Sequence, residues 1–354
     1  MRTVHDIPVL RDIPVLVRAA LNVPIEHGGV ANDYRLRRAL PTLQYLSERG
    51  ARIVLVSHIG DKGTETLKPV ADALSRLIPN VSFCETTIGE AARQAVRALH
   101  PGHILVLENV RRDRGETEND PLFAKELALL ADVFVQDSFD TCHRMHASVV
   151  GVPKLLPSYA GILLAEEVQE LAKAMRPGHP ALAVIGGAKF STKEPVLKSL
   201  LKVYDHVFVG GALANDFLKA SGHDVGVSLV SGAPADDIRT LLENEKLVVP
   251  TDVVVTTPEE SGTPDARTRA RVTEPRAVGK NESILDVGPT TSALLAELAR
   301  TSKTILWNGP LGNYEHGFTD ATDALARAIG ASNAHSVIGG GDTIAAIEKL
   351  GTLS

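Results

Sequence analysis

The sequence predicts an α/β protein built from two doubly wound parallel-sheet domains joined by a helix. Three observations support this fold class. The chain has 354 residues, which suggests two domains of ordinary size. Short apolar, β-rich runs alternate with amphipathic helical patterns along the whole chain. Because the runs are almost continuously apolar, they indicate parallel sheets that are covered on both faces.

The N-terminal half contains four runs that we interpret as buried strands, at residues 14–18, 53–58, 104–109 and 133–138. The amphipathic stretch "LKPVADALSRLI" follows the second run. Its apolar residues recur at helical spacing, namely Leu67, Val70, Ala71, Leu74, Leu77 and Ile78. Strands with helical connections are typical of a Rossmann-like domain.

The C-terminal half repeats this alternation. Its predicted strands each end in glycine: "ALAVIGG", "HVFVGG", "SILDVGP", "TILWNGP" and "SVIGGG". The intervening predicted helices are "PVLKSLLKVY", "TTSALLAELA" and "TDATDALARAIG". Residues 157–180 contain one long helical pattern followed by a Pro/Gly-rich linker. We therefore predict an N-terminal domain at 1–157, an interdomain helix at 158–176 and a C-terminal domain at 177–354.

Composition narrows the class of protein and of partner. The chain is 44% hydrophobic and 23% charged, which is ordinary for a globular protein with a sizeable core. Its net charge is -6 and it has no basic tail, so nucleic acid is not an expected partner. The two cysteines fit a reducing cytoplasm, and the charged N-terminus does not resemble a signal peptide. No apolar run is long enough to span a bilayer. We expect a cytoplasmic protein, and we expect it to be a monomer.

In doubly wound sheets, ligands bind outside the carboxyl ends of the strands. The N-terminal half places polar side chains there: Arg18, Asn22, His58, Asn109, Arg111, Asp137, His143, Arg144 and His146. A lone arginine is most often a surface residue, but four basic side chains at strand ends favour a small molecule with more than one negative group. The segment "TCHRMH" resembles a metal cluster, yet no further Cys/His pair has matching spacing.

The C-terminal half presents mainly glycines at the same positions. One such glycine merely permits a tight turn, but five glycine-ended strands favour backbone contact with an anion. In "HSVIGGGDTIAAIEKL" the glycines are expected to contact phosphates, Asp342 to bind Mg²⁺ and Thr343 to cap the following helix. The chain contains neither "GxxxxGK[ST]" nor "GxGxxG", so neither common nucleotide fingerprint applies.

The stretch "GGAKFSTK" places Lys189 and Lys193 four residues apart. If both lie on the first turn of a helix, their ammonium groups face the same way, which favours phosphate contact over two solvated lysines. A nucleotide on one lobe and a small anion on the other predict phosphoryl transfer after the lobes close. No general base stands out, which suits a carboxylate acceptor because it is already ionised.

The ordered motifs resemble the phosphoglycerate kinase family over nearly the whole chain. They are "VRAALNVP", "DYRLRRALPTLQYL", "SHIG", "LENVR", "DSFDTCHRMHAS", "PSYAGILLAEE", "GGAKFSTK", "DVGPTT", "WNGPLGNYE" and "GGGDT". The pair "WNGPLG" and "GGGDT" is the most specific part of this set. The resemblance implies reversible ATP-dependent phosphorylation of 3-phosphoglycerate, with ATP or ADP and Mg²⁺ bound.

The resemblance also implies roles for individual residues. Arg35 would contact the acyl-phosphate end and the transferring group, Lys189 would stabilise the phosphoryl group in flight, and Gly341 would belong to the catalytic set. The acid would be bound by Arg18, Asn22, Arg35, His58, Arg111, His143 and Arg144. The nucleotide would be bound by Gly186, Gly187, Lys189, Lys193, Gly210, Gly211, Asn308, Gly309, Pro310, Glu315 (at the ribose), Gly339, Gly340, Gly341, Asp342 (also the metal ligand) and Thr343.

Four features depart from the family pattern. Ala20 replaces an aspartate that recognises the substrate's 2-hydroxyl, and Asp61 replaces an arginine for the 3-phosphate. Loss of such a charge-assisted contact costs on the order of 1.5–3 kcal/mol. Asp140 stands where glycine is usual, and the chain ends at Ser354, before the family's final strand, glycine-rich turn and closing helix.

These departures leave three hypotheses open. In the first, Asp61 moves aside, Asp140 replaces the lost hydroxyl ligand, and 3-phosphoglycerate remains the substrate. In the second, the same chemistry acts on a less anionic acid, a phosphonate or an amino-acid-like acid. In the third, the protein binds nucleotide but turns over little. The retained Arg35, Lys189, Lys193 and Asp342 favour the two enzymatic hypotheses, and the early end of the chain favours the third.

Overall fold

The computed structural model describes residues 1–257, 266–347 and 350 of the chain. The chain divides into two compact units, residues 1–169 and 170–354. The division lies within a helix, Ile162–Ala174, which forms inside the segment 158–176 where sequence periodicity predicts one. Each unit is an α/β structure around a parallel sheet, so the predicted fold class is confirmed.

The first unit is built on a six-stranded parallel sheet with the strand order β5-β6-β4-β1-β7-β8. A two-stranded antiparallel ribbon, β2-β3, lies outside it. The strands are β1 (Pro14–Ala19), β2 (Ile25–Glu26), β3 (Gly29–Val30), β4 (Arg52–Val56), β5 (Val81–Cys84), β6 (Ile104–Leu107), β7 (Val133–Asp137) and β8 (Ser158–Ala160). All four predicted strands of the N-terminal half form.

The helices of this unit are α1 (Tyr34–Glu48), α2 (Lys68–Leu74), α3 (Gly89–Arg97), α4 (Arg114–Thr117), α5 (Pro121–Ala128) and α6 (Ile162–Ala174). Local chemistry explains where some of them begin. At the start of α5, the Asp120 carboxylate accepts from the backbone N–H groups of Leu122 and Phe123, and proline occupies the first helical position. Helix α2 ends earlier than its apolar pattern suggests, because the chain continues through turns after Leu74.

The core of the first unit has one layer on each face of the sheet. Successive residues of a strand point to opposite faces. Val15 and Val17 accordingly pack in one cluster with Leu36 and Leu43, whereas Leu16 packs in the other with Phe134. Both faces of β1 are therefore buried, which is why its sequence is continuously apolar rather than alternating.

The second unit has a parallel sheet with the strand order β11-β10-β9-β15-β16 and a smaller antiparallel sheet with the order β13-β12-β14. The strands are β9 (Ala181–Ile185), β10 (His206–Val209), β11 (Leu247–Val248), β12 (Val253–Thr256), β13 (Arg271–Thr273), β14 (Ser283–Val287), β15 (Thr304–Asn308) and β16 (His335–Gly339). The stretch "SILDVGP" thus forms a strand as predicted, but it pairs antiparallel with β12 and lies outside the parallel sheet.

The helices of the second unit are α7 (Phe190–Val203), α8 (Ala212–Ala220), α9 (Ala235–Leu242), α10 (Ala266–Arg269), α11 (Pro289–Thr301), α12 (Asp320–Gly330) and α13 (Gly341–Ile347). Trp307 is fully buried on one face of the sheet and donates from Nε1 to the Gly309 carbonyl oxygen at 2.8 Å. Among the residues described, no helix is long and apolar enough to cross a membrane.

Candidate active site

Polar side chains of the first unit gather at the carboxyl ends of three adjacent strands. Strand β1 lies between β4 and β7, with Arg18 level with Val56 on one side and Gln136 on the other. His58 follows the end of β4, and it is buried together with Arg18, which is only 1% exposed. The parallel order therefore brings together predicted anion-binding residues that are 40 positions apart in sequence.

The hydrogen bonds of Arg18 determine the state of His58. An arginine can only donate, so the 2.8 Å contact between Arg18 Nη2 and His58 Nδ1 makes Nδ1 an acceptor. Burial, reinforced by the charges of Arg18 and Arg111, lowers the pKa of His58 to about 3. His58 is consequently neutral near pH 7, and its proton is on Nε2. That N–H is a donor suited to an anionic oxygen.

Arg111 is held beside this pair by backbone contacts. Its Nη1 donates to the Gly60 carbonyl oxygen at 2.8 Å, and its own N–H donates to Asn109 Oδ1 at 3.1 Å. The Gly60 N–H in turn donates to Asn22 Oδ1 at 3.0 Å. Asn22 and Asn109 therefore hold the loop after β4, and part of the hydrogen-bonding capacity of Asn22 is already in use.

Both acidic departures form ion pairs with arginines of this cluster. Asp61 Oδ1 lies 3.3 Å from Arg111 Nη1, with its side chain 96% exposed. Asp140 Oδ2 lies 2.7 Å from Arg35 Nη1, each side chain being 34% exposed, and Asp140 Oδ1 accepts from the Ser138 hydroxyl at 2.5 Å. Burial alone would raise the pKa of Asp140, but the Ser138 hydrogen bond and the Arg35 charge hold it below its usual value.

The remaining predicted acid-binding residues lie on the surface. His143 and Arg144 are exposed in the segment after the short 3-10 helix Phe139–Thr141. Arg144 still acts electrostatically on His146, whose pKa is lowered mainly by burial. The structure thus brings Arg18, His58, Arg111 and Arg35 into one electrostatic neighbourhood, while His143 and Arg144 lie at its exposed edge.

In the second unit, glycine allows two strand ends to touch. A Cβ on Gly186 would lie 2.3 Å from the Pro310 carbonyl oxygen, and a Cβ on Gly309 would lie 2.5 Å from the Gly186 carbonyl carbon. Gly309 also has a φ of +97°, which L side chains rarely adopt. The ends of β9 and β15 therefore approach backbone to backbone. Gly210 is similarly confined, because a Cβ there would lie 2.6 Å from Leu311 Cδ2.

The two predicted phosphate-contacting lysines occupy different environments. Lys193 lies in the first turns of α7, and its Nζ donates to Asn308 Oδ1 at 2.7 Å. Burial lowers the pKa of Lys193. Lys189 precedes α7 in an extended conformation and is exposed. The expectation that both lysines lie on one helical turn is therefore wrong, because the helix begins at Phe190.

The glycine stretch after β16 leads directly into α13, whose first residue is Gly341. Thr343 is buried inside the first turn, and its Oγ1 accepts from the Gly309 N–H at 2.7 Å. The predicted helix cap at Thr343 is wrong, since its hydroxyl ties α13 to the loop after β15 instead. Gly340 packs against the Asn308 amide, with 3.1 Å between its would-be Cβ and Nδ2.

A pocket of about 410 Å³ lies beside these glycines. Five predicted nucleotide-binding residues line it: Gly187, Gly211, Pro310, Glu315 and Asp342. The other predicted residues, which do not line it, are Gly186, Lys189, Lys193, Gly210, Asn308, Gly309, Gly339, Gly340, Gly341 and Thr343. The mixed apolar and polar wall of the pocket suits an aromatic base with a few specific contacts.

Sequence reasoning missed most of the wall of this pocket. The missed residues include Ala188, Ala212, Asn215, Leu218, Leu229, Leu285, Asp286, Leu311, Asn313 and Tyr314. Several follow or end a glycine-terminated strand, so their position next to the predicted glycines was the available signal. Asp286 is the least expected, since burial raises its pKa to about 7 and it accepts from the Val287 and Ala321 backbone N–H groups.

The donor set around Asp342 fits a magnesium ion held jointly with phosphate oxygens. Asp342 is exposed, and its Oδ1 accepts a long 3.4 Å contact from the Tyr314 hydroxyl. Within residues 1–257, 266–347 and 350, no group of three or more His, Cys, Asp or Glu side chains could hold a metal by itself. Mg²⁺ commonly binds through one or two carboxylates plus substrate phosphates, which one exposed aspartate can satisfy.

An arginine-rich cluster on one parallel sheet and a glycine-lined pocket on another are features expected of a two-unit α/β phosphotransferase. A sequence model of the phosphoglycerate kinase family matches residues 4–354, and the chain belongs to this family. It is 44% identical to a phosphoglycerate kinase of Rubrobacter xylanophilus, over 99% of this chain and 90% of the relative. It is 41% identical to that of Moorella thermoacetica, over 95% and 88% respectively.

Solved structures agree with this assignment. The phosphoglycerate kinase of Coxiella burnetii has a TM-score of 0.80 at 39% identity and covers 99% of this chain and 90% of its own. That of Pyrococcus horikoshii has a TM-score of 0.88 at 28% identity, with 99% and 91% covered. The resemblance inferred from the ordered motifs is therefore confirmed at the level of family and fold.

Proposed function

We propose that this chain catalyses the reversible ATP-dependent phosphorylation of 3-phosphoglycerate to 1,3-bisphosphoglycerate, the phosphoglycerate kinase step of glycolysis. The observation that carries the proposal is family membership over nearly the whole chain. The buried Arg18–His58 pair and the glycine-lined pocket supply chemistry that suits the two substrates.

In the proposed reaction, a carboxylate oxygen of the acid attacks the γ-phosphorus of ATP. A new P–O bond forms, the bond from the γ-phosphorus to the bridging oxygen breaks, and its electron pair leaves with ADP. No proton has to be removed, so the protein's task is to position the reactants and balance charge. Mg²⁺, held at Asp342, would neutralise phosphate charge.

The acid is proposed to bind the cluster of Arg18, His58, Arg111 and Arg35, with Asn22, His143 and Arg144 as further contacts. His58 contributes a neutral N–H donor, whereas the guanidinium groups contribute positive charge. An anion entering this cluster has to compete with Asp140 for Arg35 and with Asp61 for Arg111. This competition is an energetic cost that a cluster without these two acids would avoid.

The nucleotide is proposed to place its base in the pocket and its phosphates along the glycines of the strand ends. Lys193 and Asn308 already form a hydrogen-bonded pair beside those glycines. Lys189, exposed at the start of α7, is free to follow the transferring phosphoryl group, and Gly341 offers the first N–H of α13.

The ion pairs of Asp61 and Asp140 favour one second candidate, which is the same chemistry on a less anionic carboxylic acid. Each acid reduces the positive charge available to a substrate anion. Ala20 adds to this, because its methyl group cannot form a hydrogen bond. A phosphonate or amino-acid-like acid is the class that this altered charge would suit.

The test is ATP turnover with Mg²⁺ on 3-phosphoglycerate, coupled to reduction of the acyl phosphate, with glycerate, phosphonate acids and amino acids in parallel. We expect turnover on 3-phosphoglycerate. Turnover on another acid alone would support the second candidate. Silence on all acids with retained ATP binding would overturn both and support a non-catalytic role.

Lys189→Ala tests the transfer chemistry. We expect kcat to fall by at least about 100-fold, as for loss of one transition-state contact, with ATP binding largely retained. Lys202→Ala, at the other end of α7, is the matched control. Unchanged turnover of Lys189→Ala would remove Lys189 from the mechanism.

The proposal includes a monomer as the functional unit. It also includes a cytoplasmic location, which the two free cysteines, Cys84 and Cys142, support. Light scattering at assay concentration tests the first statement, and fractionation of the source cells tests the second.

A further inference from the structure

A fully buried carboxylate lies behind Arg18 in the first unit. Glu116, in α4, is 0% exposed, and so is Ser148, which lies in the single π-helical turn Ala147–Gly151. Glu116 Oε1 is 2.6 Å from Ser148 Oγ, and Glu116 Oε2 accepts from the Ser148 N–H at 2.9 Å. Ser148 Oγ is 3.1 Å from Arg18 Nε.

We propose that Glu116 is a positioning residue of the acid site, and that it acts on Arg18 through the Ser148 hydroxyl. Through Arg18 it also fixes the tautomer of His58. This inference rests on the proposed function, since it treats Arg18 and His58 as acid-binding groups. It adds a residue that touches neither the acid nor the nucleotide.

The direction of each hydrogen bond follows from the groups involved. Glu116 as a carboxylate can only accept, so the Ser148 hydroxyl donates to it. The serine oxygen then has lone pairs left for the Arg18 Nε–H, which can only donate. The three buried groups thus form a hydrogen-bonded series in which Arg18 donates to Ser148 and Ser148 donates to Glu116. Glu116 supplies the counter-charge of Arg18 without touching it.

Arg18 is held tightly, because four of its five N–H donors have acceptors within the described residues. Nε–H donates to Ser148, and Nη1 donates to the Ala19 carbonyl oxygen at 2.7 Å and to Ser57 Oγ at 3.4 Å. One N–H on Nη2 donates to His58 Nδ1 at 2.8 Å. Among the contacts of the described residues, one donor is left for a substrate, and its direction is set by the other four.

Indirect pairing preserves this last donor. Arg35 and Arg111 contact carboxylates directly, so a substrate anion has to displace those carboxylates. The acceptors of Arg18 within the described chain are hydroxyl, carbonyl and imidazole groups, which do not neutralise it. The full positive charge of Arg18 therefore stays available to the acid. Glu116, which is linked to Arg18 through Ser148, offsets the cost of burying that charge.

Close backbone packing holds Glu116 in place. A Cβ on Gly115 would lie 2.8 Å from Phe123 Cβ, and one on Gly151 would lie 2.7 Å from Ala124 Cβ. Helix α5 is therefore pressed against both α4 and the turn that carries Ser148. A carboxylate fixed this firmly can orient a long side chain more precisely than one on a loop.

Loss of the hydrogen bonds that link Glu116, Ser148 and Arg18 is expected to change His58 in a specific way. If Arg18 Nε loses its acceptor, the guanidinium can turn, and Nη2 no longer has to face Nδ1. The His58 proton can then move to Nδ1, which leaves Nε2 as an acceptor and removes the N–H donor from the acid. A merely structural role of Glu116 would not move this proton.

The experiment measures the His58 tautomer by ¹⁵N NMR of the imidazole, together with KM for 3-phosphoglycerate and for ATP. The wild-type protein is expected to hold the proton on Nε2. Ser148→Ala is expected to mix the tautomers and to raise KM for 3-phosphoglycerate at least tenfold, with KM for ATP within twofold. Ser148→Thr, which keeps the hydroxyl, is expected to restore both readouts.

Thr291→Ala is the matched control. Its hydroxyl donates to the buried Asp252 Oδ1, also at 2.6 Å, but in the other unit. We expect Thr291→Ala to lose stability as Ser148→Ala does, with no change in His58 or in KM for the acid. Equal destabilisation of both variants with unchanged His58 and KM would show that Glu116 is only structural.

Two further arms keep the test decisive. Glu116→Gln retains the shape and removes the charge, and is expected to raise KM for the acid as Ser148→Ala does. The wild-type spectrum needs no variant, and a proton on Nδ1 there would overturn the inference at once. Because the NMR readout needs no turnover, a protein inactive on 3-phosphoglycerate would refute the proposed function and still leave this inference tested.

Discussion

Asp140 is expected to weaken acid binding by occupying Arg35, and Asp140→Asn tests this directly. The substitution keeps the size of the side chain and its ability to accept from Ser138, but removes the negative charge. Arg35 then becomes available to an anion in solution. We expect KM for 3-phosphoglycerate to fall while KM for ATP stays unchanged.

The size of the effect follows from the geometry of the pair. The oxygen–nitrogen distance is 2.7 Å, and both side chains are 34% exposed. Exposed pairs are worth about 0.2–1 kcal/mol, and buried charge-assisted hydrogen bonds about 1.5–3 kcal/mol. A half-buried pair lies near about 1 kcal/mol, which corresponds to about a fivefold change in affinity.

Asp61→Asn is the matched control for charge. Asp61 is 96% exposed and 3.3 Å from Arg111, which keeps its 2.8 Å bond to the Gly60 carbonyl oxygen. Water screens this pair, so KM should change less than about twofold. The assay is the coupled reaction at low ionic strength and again at 0.15 M salt, where a Debye length of about 8 Å should reduce the benefit of Asp140→Asn.

A rise in KM for 3-phosphoglycerate in Asp140→Asn would refute this reasoning. It would mean that the Asp140 carboxylate contacts the acid itself, as in the hypothesis that it replaces the hydroxyl ligand missing at Ala20. Equal effects of Asp61→Asn and Asp140→Asn would refute the use of burial to rank the two pairs. Each result is informative because the variants differ only in position.

Three further predictions concern the second unit and the helix between the predicted domains. Gly186→Ala should destabilise the protein by about 1–3 kcal/mol in urea unfolding, because its Cβ would meet backbone atoms at 2.3 Å, whereas Gly339→Ala, with 3.7 Å of clearance, should be nearly neutral. Lys193→Ala and Asn308→Ala should each weaken ATP binding measured by calorimetry. Because the two side chains share one hydrogen bond, the double variant should lose less binding free energy than the sum of the two single losses. Strictly additive losses would contradict this coupling. Burial raises the pKa of Glu167 from 4.5 to about 7, so the unfolded chain releases this proton first and the free energy of unfolding should fall as pH rises between these values. The buried Asp286, whose pKa is also raised to about 7, and Asp137, whose pKa is raised to about 6, contribute losses of the same sign. Glu167→Gln should therefore lose less free energy of unfolding than the wild type between pH 5 and pH 8, and an equal loss in both proteins would contradict the prediction.

The class of fold could be predicted from the amino-acid sequence alone. Continuous apolar runs that alternate with amphipathic stretches leave a parallel sheet covered on both faces as the simplest solution, and β1 shows it, with Val15 and Leu16 in different core layers. The proximity of Arg18 and His58 was also predictable, because carboxyl ends of neighbouring parallel strands meet at one edge of the sheet.

Tertiary structure decided which partner each strand and side chain found. Strand β14 has the same apolar pattern as its neighbours in sequence, yet it pairs antiparallel in a separate sheet. Thr343 looks like a helix cap in the sequence, but its hydroxyl accepts from Gly309, 34 residues away. Periodicity encodes burial and local conformation, and it carries no information on pairing across the chain.

The electrostatic state of the arginine cluster in the first unit could likewise not be predicted from the sequence. The buried Glu116 and Ser148 are 32 positions apart, and although Ser148 ends the motif "DSFDTCHRMHAS", nothing local connects the two residues to Arg18. Asp140 and Arg35, 105 positions apart, become an ion pair only in the fold. Residue type and spacing show which groups carry charge, but distance and burial set its effect, and the folded chain alone determines those two quantities.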